Sequence, residues 1–380
     1  MSFSFFGCWN QGYCGDNPFS YVASHIKKND TDFVIVAGDN YYPTKDKGKG
    51  KKTKLFNELN FESGFNCLSG INKDTYILMG NHDVQYEKKL VDSITKNSLD
   101  KCHIIGRQLE KKSKKLSFEN RYLTTDDALI LFLNTSLYTS DKDEMLDCFK
   151  EYKKNIEQPD DSSIDAFIDE EYDFFTTLVK DLASSLTAHK LIIVGHHPVV
   201  SVRDKKPIES LSYDGLFLLN ELYSLFNSND KYYLCADVHQ FQEGIVKLND
   251  HNITQYVVGT GGTTLDDIKC KKTGEHLVYS SQDMSISYEM EYCDNKNYGY
   301  LIYENGEFKF TKVDTSPDGR YSSITKTSPR TRTRTTMSPR TTMSPRTMSI
   351  PKSTRTSKRR KTHFSKKSNK TRSIYKKTSK

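Results

Sequence analysis

The chain has 380 residues, of which 35% are hydrophobic, and its formal net charge is +7. This length allows one large or two medium domains, and the absence of any apolar stretch near the length of a membrane span speaks against an integral membrane protein. The charge is unevenly distributed. The last 60 residues hold 19 lysines and arginines and no acidic residue, which leaves 37 basic and 49 acidic residues in the first 320.

Four short apolar runs, each followed at once by polar residues, predict buried β-strands. They are rich in β-branched and aromatic residues, and their length favours strands over helices. In chain order they are Phe33–Ala37, Thr75–Met79, Leu191–Val194 and Tyr232–Cys235. The motifs that follow them are Gly38–Tyr42, Gly80–Asp83, Gly195–Pro198 and Asp237–His239.

The position of these motifs predicts a metal site. Polar residues that follow the strands of one sheet are delivered to the same edge of that sheet. Carboxylate, amide, phenolate and imidazole groups are ligands that iron, manganese and zinc accept. A carboxylate such as Asp39 can bridge two ions, and a two-metal site can activate water for attack on phosphorus. The inferred chemistry is phosphoester hydrolysis.

These motifs, in this order, resemble those of the calcineurin-like metallophosphoesterases and, within them, the purple acid phosphatases. The resemblance extends from about Phe3 to about Gly262. Tyr42 corresponds to the tyrosine of the purple type, whose phenolate binds a ferric ion. The resemblance implies a four-layer αββα sandwich of two mixed sheets. It also implies two metal ions, iron paired with iron, manganese or zinc, acting on a phosphorylated substrate.

Carried over residue by residue, the resemblance implies that Asp39 bridges the two ions. Tyr42 and His239 would bind the first ion, and Asn81 and His196 would bind the second.

Three further residues match positions that act on the substrate. His82 matches the residue that contacts the phosphate and protonates the leaving group, a role that suits histidine because it exchanges protons near neutral pH. Asp83 would orient His82, and His197 would contact the substrate.

Two positions depart from the family pattern. Cys8 stands where the family has a metal-binding aspartate, and Asp237 stands where it has a histidine. A thiolate is a metal ligand that favours zinc or ferrous iron over a ferric ion, and a carboxylate can replace imidazole as a donor. Cys8 and Asp237 are therefore predicted ligands of the first and the second ion. Asp16, eight positions past Cys8, is an alternative source of the missing carboxylate.

Two functions follow from this pattern. The first is a metal-dependent phosphatase that hydrolyses phosphate monoesters. The second is a metallophosphoesterase-like scaffold that has lost turnover and whose basic tail binds nucleic acid or another polyanion.

The domain boundary is predicted from a closing hairpin and the change in composition after it. Tyr298–Val313 predicts the hairpin, with its turn at Glu304–Glu307. Residues 1–314 would form one metallophosphoesterase-like domain, and residues 315–380 would be a disordered tail because like charges and few apolar groups cannot offset the ordering entropy. Dense lysine and arginine predict binding to nucleic acid or another polyanion. A tail that is merely solvated, or that pairs with the acidic segment Asp141–Asp173, is the alternative.

Cysteine use and the first residues predict an intracellular protein, either cytoplasmic or nuclear. The chain has eight cysteines, and Cys235 falls inside a strand pattern, which favours reduced thiols. The start of the chain lacks the basic and apolar regions of a signal peptide and instead predicts a strand. Lys358–Lys361 resembles a nuclear import signal.

Overall fold

The computed structural model describes residues 1–315, apart from 47–52, 86–88, 119, 140–147, 151–163, 184–189, 204–205, 227–229, 268–273, 275 and 282. The basic tail predicted from residue 315 thus lies, after its first residue, outside the described residues, and its disorder stays a prediction. The helices are α1 Pro18–Lys28, α2 Glu58–Ser69, α3 Asn81–Val84, α4 His103–Leu109, α5 Ile164–Ala183 and α6 Tyr213–Leu225.

The strands are β1 Phe3–Phe6, β2 Phe33–Ala37, β3 Thr44–Lys45, β4 Lys54–Phe56, β5 Asp74–Leu78, β6 Leu90–Asp92, β7 Leu116–Ser117, β8 Tyr122–Thr124, β9 Ala128–Phe132, β10 Lys190–Val194, β11 Val200–Arg203, β12 Lys206–Glu209, β13 Asp230–Cys235, β14 Phe241–Leu248, β15 His251–Val258, β16 His276–Ser280, β17 Ser285–Asp294, β18 Tyr298–Glu304 and β19 Glu307–Val313. All four strands predicted from apolar runs are present. They are β2, β5, β10 and β13, and the predicted bounds differ from those observed by at most two residues at either end.

Two large mixed sheets form the framework. The first has the order β19-β18-β1-β2-β5-β7, and the second has the order β16-β17-β14-β15-β13-β10-β9-β8. In the first sheet β1, β2 and β5 run parallel, whereas β18 pairs with β1 antiparallel. In the second sheet, β9, β10, β13 and β15 run parallel, whereas β14 pairs with β15 antiparallel. The parallel strands of each sheet therefore bring their carboxyl ends to one edge.

Aromatic side chains join the inner faces of the two sheets. Phe310 of β19 stacks on Phe241 of β14 with ring centroids 4.0 Å apart. Phe308, also on β19, lies 4.9 Å from Tyr232 of β13 and 5.0 Å from Tyr256 of β15. These contacts bury large apolar surfaces between the sheets, which is the dominant favourable term in folding.

Helices cover the outer faces. Helix α1 packs on β18 and β19 of the first sheet, and α6 packs on β15 of the second sheet and against α5. Helix α1 begins at Pro18, and the side chain of Asn17 accepts the first helical N–H, that of Phe19, at 2.8 Å. The predicted αββα sandwich of two mixed sheets is confirmed.

The predicted closing hairpin is also present. In the pairing of β18 with β19, Tyr298 lies opposite Val313 at one end and Glu304 lies opposite Glu307 at the other. The two turn residues, Asn305 and Gly306, have φ of 53° and 82°. Two central residues with positive φ are typical of a type I′ turn, which is why asparagine and glycine occupy it.

The prediction that the cysteines are reduced is wrong for most of the described ones. Disulfides join Cys14 to Cys67 and Cys102 to Cys148, and Cys293 is also disulfide-bonded, whereas Cys8 and Cys235 are free and buried. The two described pairs are separated by 53 and 46 residues, so the fold and not local sequence brings them together.

These disulfides weaken the argument for an intracellular location, because such bonds persist mainly in oxidising compartments. Within the described ranges, none of the helices combines the length and the apolar character that crossing a membrane would require.

Candidate metal centre

Three predicted ligands lie two residues beyond the strand that precedes them, in the same unusual backbone conformation. Cys8 follows β1, Asp39 follows β2 and Asp237 follows β13, with φ of 55°, 54° and 58°. Left-handed backbone is uncommon for residues other than glycine and is concentrated at functional sites. The fold holds Cys8 in place through a hydrogen bond from its N–H to the carbonyl of Gly38 at 3.0 Å and one from the Thr263 hydroxyl to its own carbonyl at 2.7 Å.

Asp39 is the centre of the cluster, and its two carboxylate oxygens face different neighbours. Oδ2 accepts a hydrogen bond from the hydroxyl of Tyr42 at 2.7 Å. Oδ1 lies 3.3 Å from Nε2 of His196 and accepts a hydrogen bond from the N–H of His82 at 3.0 Å. The side chain is 1% exposed. One buried carboxylate thus connects two sets of donor groups.

The first set includes Tyr42, whose hydroxyl donates to Oδ2 of Asp39. The ligand atoms of Cys8, Asp39 and His239 all lie within 4.8 Å of one another. The hydroxyl of Tyr42 is 3.2 Å from Nε2 of His239, so Tyr42 belongs to the same set. We call Cys8, Asp39, Tyr42 and His239 the first donor set.

The second set lies on the side of Oδ1. The ligand atoms of His196, His197 and Asp237 also lie within 4.8 Å of one another. Nε2 of His196 is 3.1 Å from Oδ1 of Asn81 and 3.9 Å from Oδ1 of Asp237. We call Asp39, Asn81, His196 and Asp237 the second donor set, with His197 beside it.

In each donor set one histidine is held in place by a hydrogen bond from its Nδ1. Nδ1 of His196 donates to the carbonyl of Ala37 at 2.6 Å, and Nδ1 of His239 donates to the carbonyl of Thr264 at 3.1 Å. A bond of this kind fixes the ring and leaves Nε2 available to a cation. This orientation, with the mixed donors, fits an Fe, Mn or Zn ion in each set.

The ionisation of the cluster follows from its burial. Burial disfavours the charged form of Asp39, but the neighbouring positive charge of His196 holds the pKa of Asp39 well below its usual range. Burial would lower the pKa of His196, yet the charge of Asp39 raises it to about 9. Burial and the same charge raise the pKa values of Cys8 and Tyr42. A cation entering the cluster must therefore displace protons from Cys8, Tyr42 and His196.

His197 lies beside the second donor set as a neutral group. Its Nδ1 is 3.1 Å from the hydroxyl of Thr135. Burial first, and then the positive charge of His196, lower the pKa of His197 to about 4. Thr135 also accepts the backbone N–H groups of His196 and His197, both at 3.0 Å, and so fixes the turn that carries the two histidines.

Asp83 does not contact His82 in the way the resemblance implied. Its carboxylate accepts four hydrogen bonds, from the N–H and side chain of Asn40, from the N–H of Gly80 and from the side chain of Gln108. Within the described ranges no hydrogen bond joins it to His82. Burial first, and then the charge of Asp39, raise the pKa of Asp83 to about 7. The reason for the difference is that α3 places Asp83 at its third residue, where the side chain turns back to cap Gly80.

The alternative carboxylate, Asp16, is exposed in the short 3₁₀ helix Cys14–Asp16 and belongs to neither donor set.

Sequence reasoning missed several residues that support the site. Thr135 follows β9 as the other motifs follow their strands, so the same signal would have found it. Asp266 accepts the N–H of His239 at 3.0 Å, and the guanidinium of Arg203 contacts the carboxylate of Asp237. Neither of these two residues lies in a recognisable motif.

Comparisons with solved structures find weak similarities. A purple acid phosphatase, PPD1, from seeds of yellow lupin (Lupinus luteus) is 12% identical, with a TM-score of 0.48 over 82% of this chain and 51% of that chain. PhoD is 14% identical, with a TM-score of 0.44 over 84% of this chain and 73% of that chain. The chain thus spans about half the length of the lupin protein. A search of curated proteins gives no match.

A family comparison covers more than half of the chain. The family model described as calcineurin-like phosphoesterase matches residues 1–241, a range that includes both donor sets. The chain belongs to the calcineurin-like phosphoesterase family.

Proposed function

We propose that this protein is a phosphatase that hydrolyses phosphate monoesters at a site for two metal ions. The observation that carries the proposal is the arrangement of Asp39, whose Oδ2 faces Tyr42 at 2.7 Å and whose Oδ1 faces His196 at 3.3 Å. A carboxylate with one oxygen toward each of two donor sets can bridge two cations. Membership of the calcineurin-like phosphoesterase family supports a metal-dependent phosphoesterase in general.

Each donor set offers four ligands to an ion. The first ion would be held by Cys8, Asp39, Tyr42 and His239, and the second by Asp39, Asn81, His196 and Asp237. Two bound ions would polarise a water molecule and stabilise the negative charge that develops on the phosphate oxygens. Because a thiolate is a soft ligand, Cys8 favours zinc or ferrous iron in the first set, whereas Tyr42 is a ligand that ferric iron accepts. We propose iron paired with iron, manganese or zinc.

His82 is proposed to give a proton to the leaving group. It lies at the edge of the first donor set, with its ring centroid 4.8 Å from that of Tyr42. Its Nδ1 is buried and, in the part of the chain that the structure describes, has no hydrogen-bond partner. Buried polar atoms are normally paired, so a substrate or water is the expected partner. A histidine near the reacting phosphate can act as a general acid.

The roles of His197 and Asp83 follow from their contacts. His197, neutral and held by Thr135, is proposed to contact the phosphate. Asp83 is proposed to act through α3: by capping Gly80 at 2.7 Å it holds the start of the helix that carries Asn81 and His82.

The proposal is tested by metal-dependent hydrolysis of 4-nitrophenyl phosphate. Full-length protein loaded with iron, manganese or zinc should hydrolyse it, and Asp39→Asn and His82→Ala should lose most of this activity. His251→Ala is the matched control, because His251 lies at the other end of β15 from the site and hydrogen-bonds to Ser224. Wild-type activity no higher than that of the two site variants, with every metal tried, would reject the proposal.

The basic tail supports a second candidate function, the binding of nucleic acid or another polyanion. The 19 lysines and arginines of the last 60 residues can neutralise phosphates and release counterions, so binding should weaken steeply as salt rises. Full-length protein in which Lys358–Lys361 are replaced by alanine should bind duplex DNA with a smaller salt slope than the wild type. An unchanged salt slope would show that Lys358–Lys361 does not contribute to DNA binding.

A further inference from the structure

Arg203 is a cation at the second donor set that no motif identifies. It is the last residue of β11, and its guanidinium contacts Oδ2 of Asp237. The other oxygen of Asp237 lies 3.9 Å from Nε2 of His196. The side chain of Arg203 is 45% exposed, whereas that of Asp237 is 13% exposed. The arginine therefore reaches from the solvent side to a proposed metal ligand.

Buried glutamine side chains hold the backbone of β11, the strand that carries Arg203. Gln242 accepts the N–H of Val202 at 3.0 Å and donates to the carbonyl of Val202 at 2.9 Å. Gln240 donates to the same carbonyl at 3.0 Å. Gln255 accepts the N–H of Val199 at 2.8 Å. Hydrogen bonds from fully buried amides hold a backbone in one position.

This anchoring matters because Val202 immediately precedes Arg203. The hairpin of β11 and β12 cannot shift against β14 and β15 without breaking these bonds. Arg203 is thus held beside Asp237 by the backbone as well as by the ion pair, and its guanidinium stays at the edge of the site.

The guanidinium also keeps donor capacity beyond its contact with Asp237. Arginine has five N–H donors in a planar fork and stays charged at all accessible pH values. Within the described part of the chain, the guanidinium donates one hydrogen bond, to Asp237. Because nearly half of the side chain is exposed, the remaining donors can reach a ligand that enters from solvent. Phosphate oxygens match this fork geometry.

We propose that Arg203 binds the phosphate group of the substrate and favours the dianion of a monoester over the monoanion of a diester. Asp237 orients the guanidinium, and the remaining N–H groups contact non-bridging oxygens of the phosphate. A fixed positive charge stabilises two negative charges more than one. This inference rests on the proposed phosphatase function and names a substrate-binding residue within that site.

The test uses Arg203→Met and Arg203→Lys in full-length protein. The control is Lys309→Met, which also removes one positive charge but lies on β19, at the edge of the first sheet. Metal content, kcat, KM for 4-nitrophenyl phosphate and the inhibition constant of inorganic phosphate are measured for each. We expect unchanged metal content and a rise of about tenfold or more in KM and in the inhibition constant for Arg203→Met.

Two comparisons make the expectation specific to phosphate binding. Arg203→Lys should recover part of the loss, because lysine keeps the charge without the fork. KM for bis(4-nitrophenyl) phosphate, a diester, should rise less than KM for the monoester. Unchanged KM and inhibition constants in Arg203→Met would overturn the inference. Metal content and kcat falling together at constant KM would also overturn it, since Arg203 would then act only by holding Asp237.

Failure of the proposed function is distinguishable from failure of this inference. If the wild type hydrolyses neither ester, the phosphatase proposal fails, and calorimetric titration of inorganic phosphate into metal-treated protein decides the inference. Phosphate binding at least tenfold weaker in Arg203→Met than in the wild type would support it. Equal binding, or no binding to either protein, would overturn it.

Discussion

Gly80→Ala tests how closely the two sheets meet at the metal centre. Gly80 has φ of −96°, which any residue adopts, so the effect of the added methyl group is purely steric. A Cβ at this position would overlap the N–H and Oδ1 of Asp39 and would lie 2.8 Å from Cε1 of His196. The neighbouring atoms belong to the backbone and to a carboxylate held by hydrogen bonds, so they cannot move aside cheaply.

The expected magnitude follows from this overlap. Adding a methyl group to a packed interior costs about 1–3 kcal/mol of unfolding free energy. Gly106→Ala is the matched control, because Gly106 lies inside α4 and a Cβ there meets no atom within 4 Å. The control should stabilise the protein by about 0.5–1 kcal/mol through helix propensity. The two variants should therefore differ by about 1.5–4 kcal/mol.

The assay is urea unfolding of the full-length protein with its disulfides intact, in chelator so that metal binding does not contribute. A second portion without chelator is analysed for metal, which Gly80→Ala should largely lose because Asp39 is displaced. If Gly80→Ala is as stable as the wild type and keeps its metal, then Gly80 does not pack as closely against Asp39 and His196 as described.

Three further perturbations test separate parts of the structure. Cys8→Asp should shift the metal preference from zinc or ferrous iron toward ferric iron, and tyrosinate bound to ferric iron should give a new visible absorption band. An unchanged metal preference would show that Cys8 is not a ligand. Thr135→Val, which leaves the buried N–H of His196 unpaired, should cost about 1–3 kcal/mol in urea unfolding, and a loss below about 0.5 would contradict the bonds described. Asp294→Asn should destabilise the protein at pH 7, because burial opposes ionisation of Asp294 but Lys312 lowers its pKa. A carboxylate whose pKa is lowered in the folded state stabilises the protein at any pH above its pKa in the unfolded state, which is about 4. This stabilisation is lost as the pH falls through the folded-state pKa, so the unfolding free energies of the two proteins should converge in acid.

Local sequence predicted the strands that build the site because their signal is local. An apolar run such as Phe33–Ala37 that ends in Gly38 and a polar residue reads as a buried strand with a turn, and β2 has these bounds. The hairpin turn at Asn305 and Gly306 was predictable for the same reason, since its chemistry lies in two adjacent residues.

The contacts between elements could not be predicted in this way. Asp83 accepts a hydrogen bond from Gln108, 25 residues away, and Arg203 contacts Asp237, 34 residues away. Such pairs depend on how α3 meets α4 and on how the β11–β12 hairpin is anchored, which no local pattern encodes. The disulfide between Cys14 and Cys67 has the same origin, because the packing of α2 beside the 3₁₀ helix brings the two thiols together.

The central claim is that Asp39 joins two metal sites. Its most direct test is elemental analysis of full-length protein purified without chelator, beside Asp39→Asn purified in the same way. About two equivalents of iron, manganese or zinc per chain in the wild type, lost in the variant, are the predicted result. Wild-type protein that is folded but carries no metal, or Asp39→Asn with the same metal content as the wild type, would contradict the account.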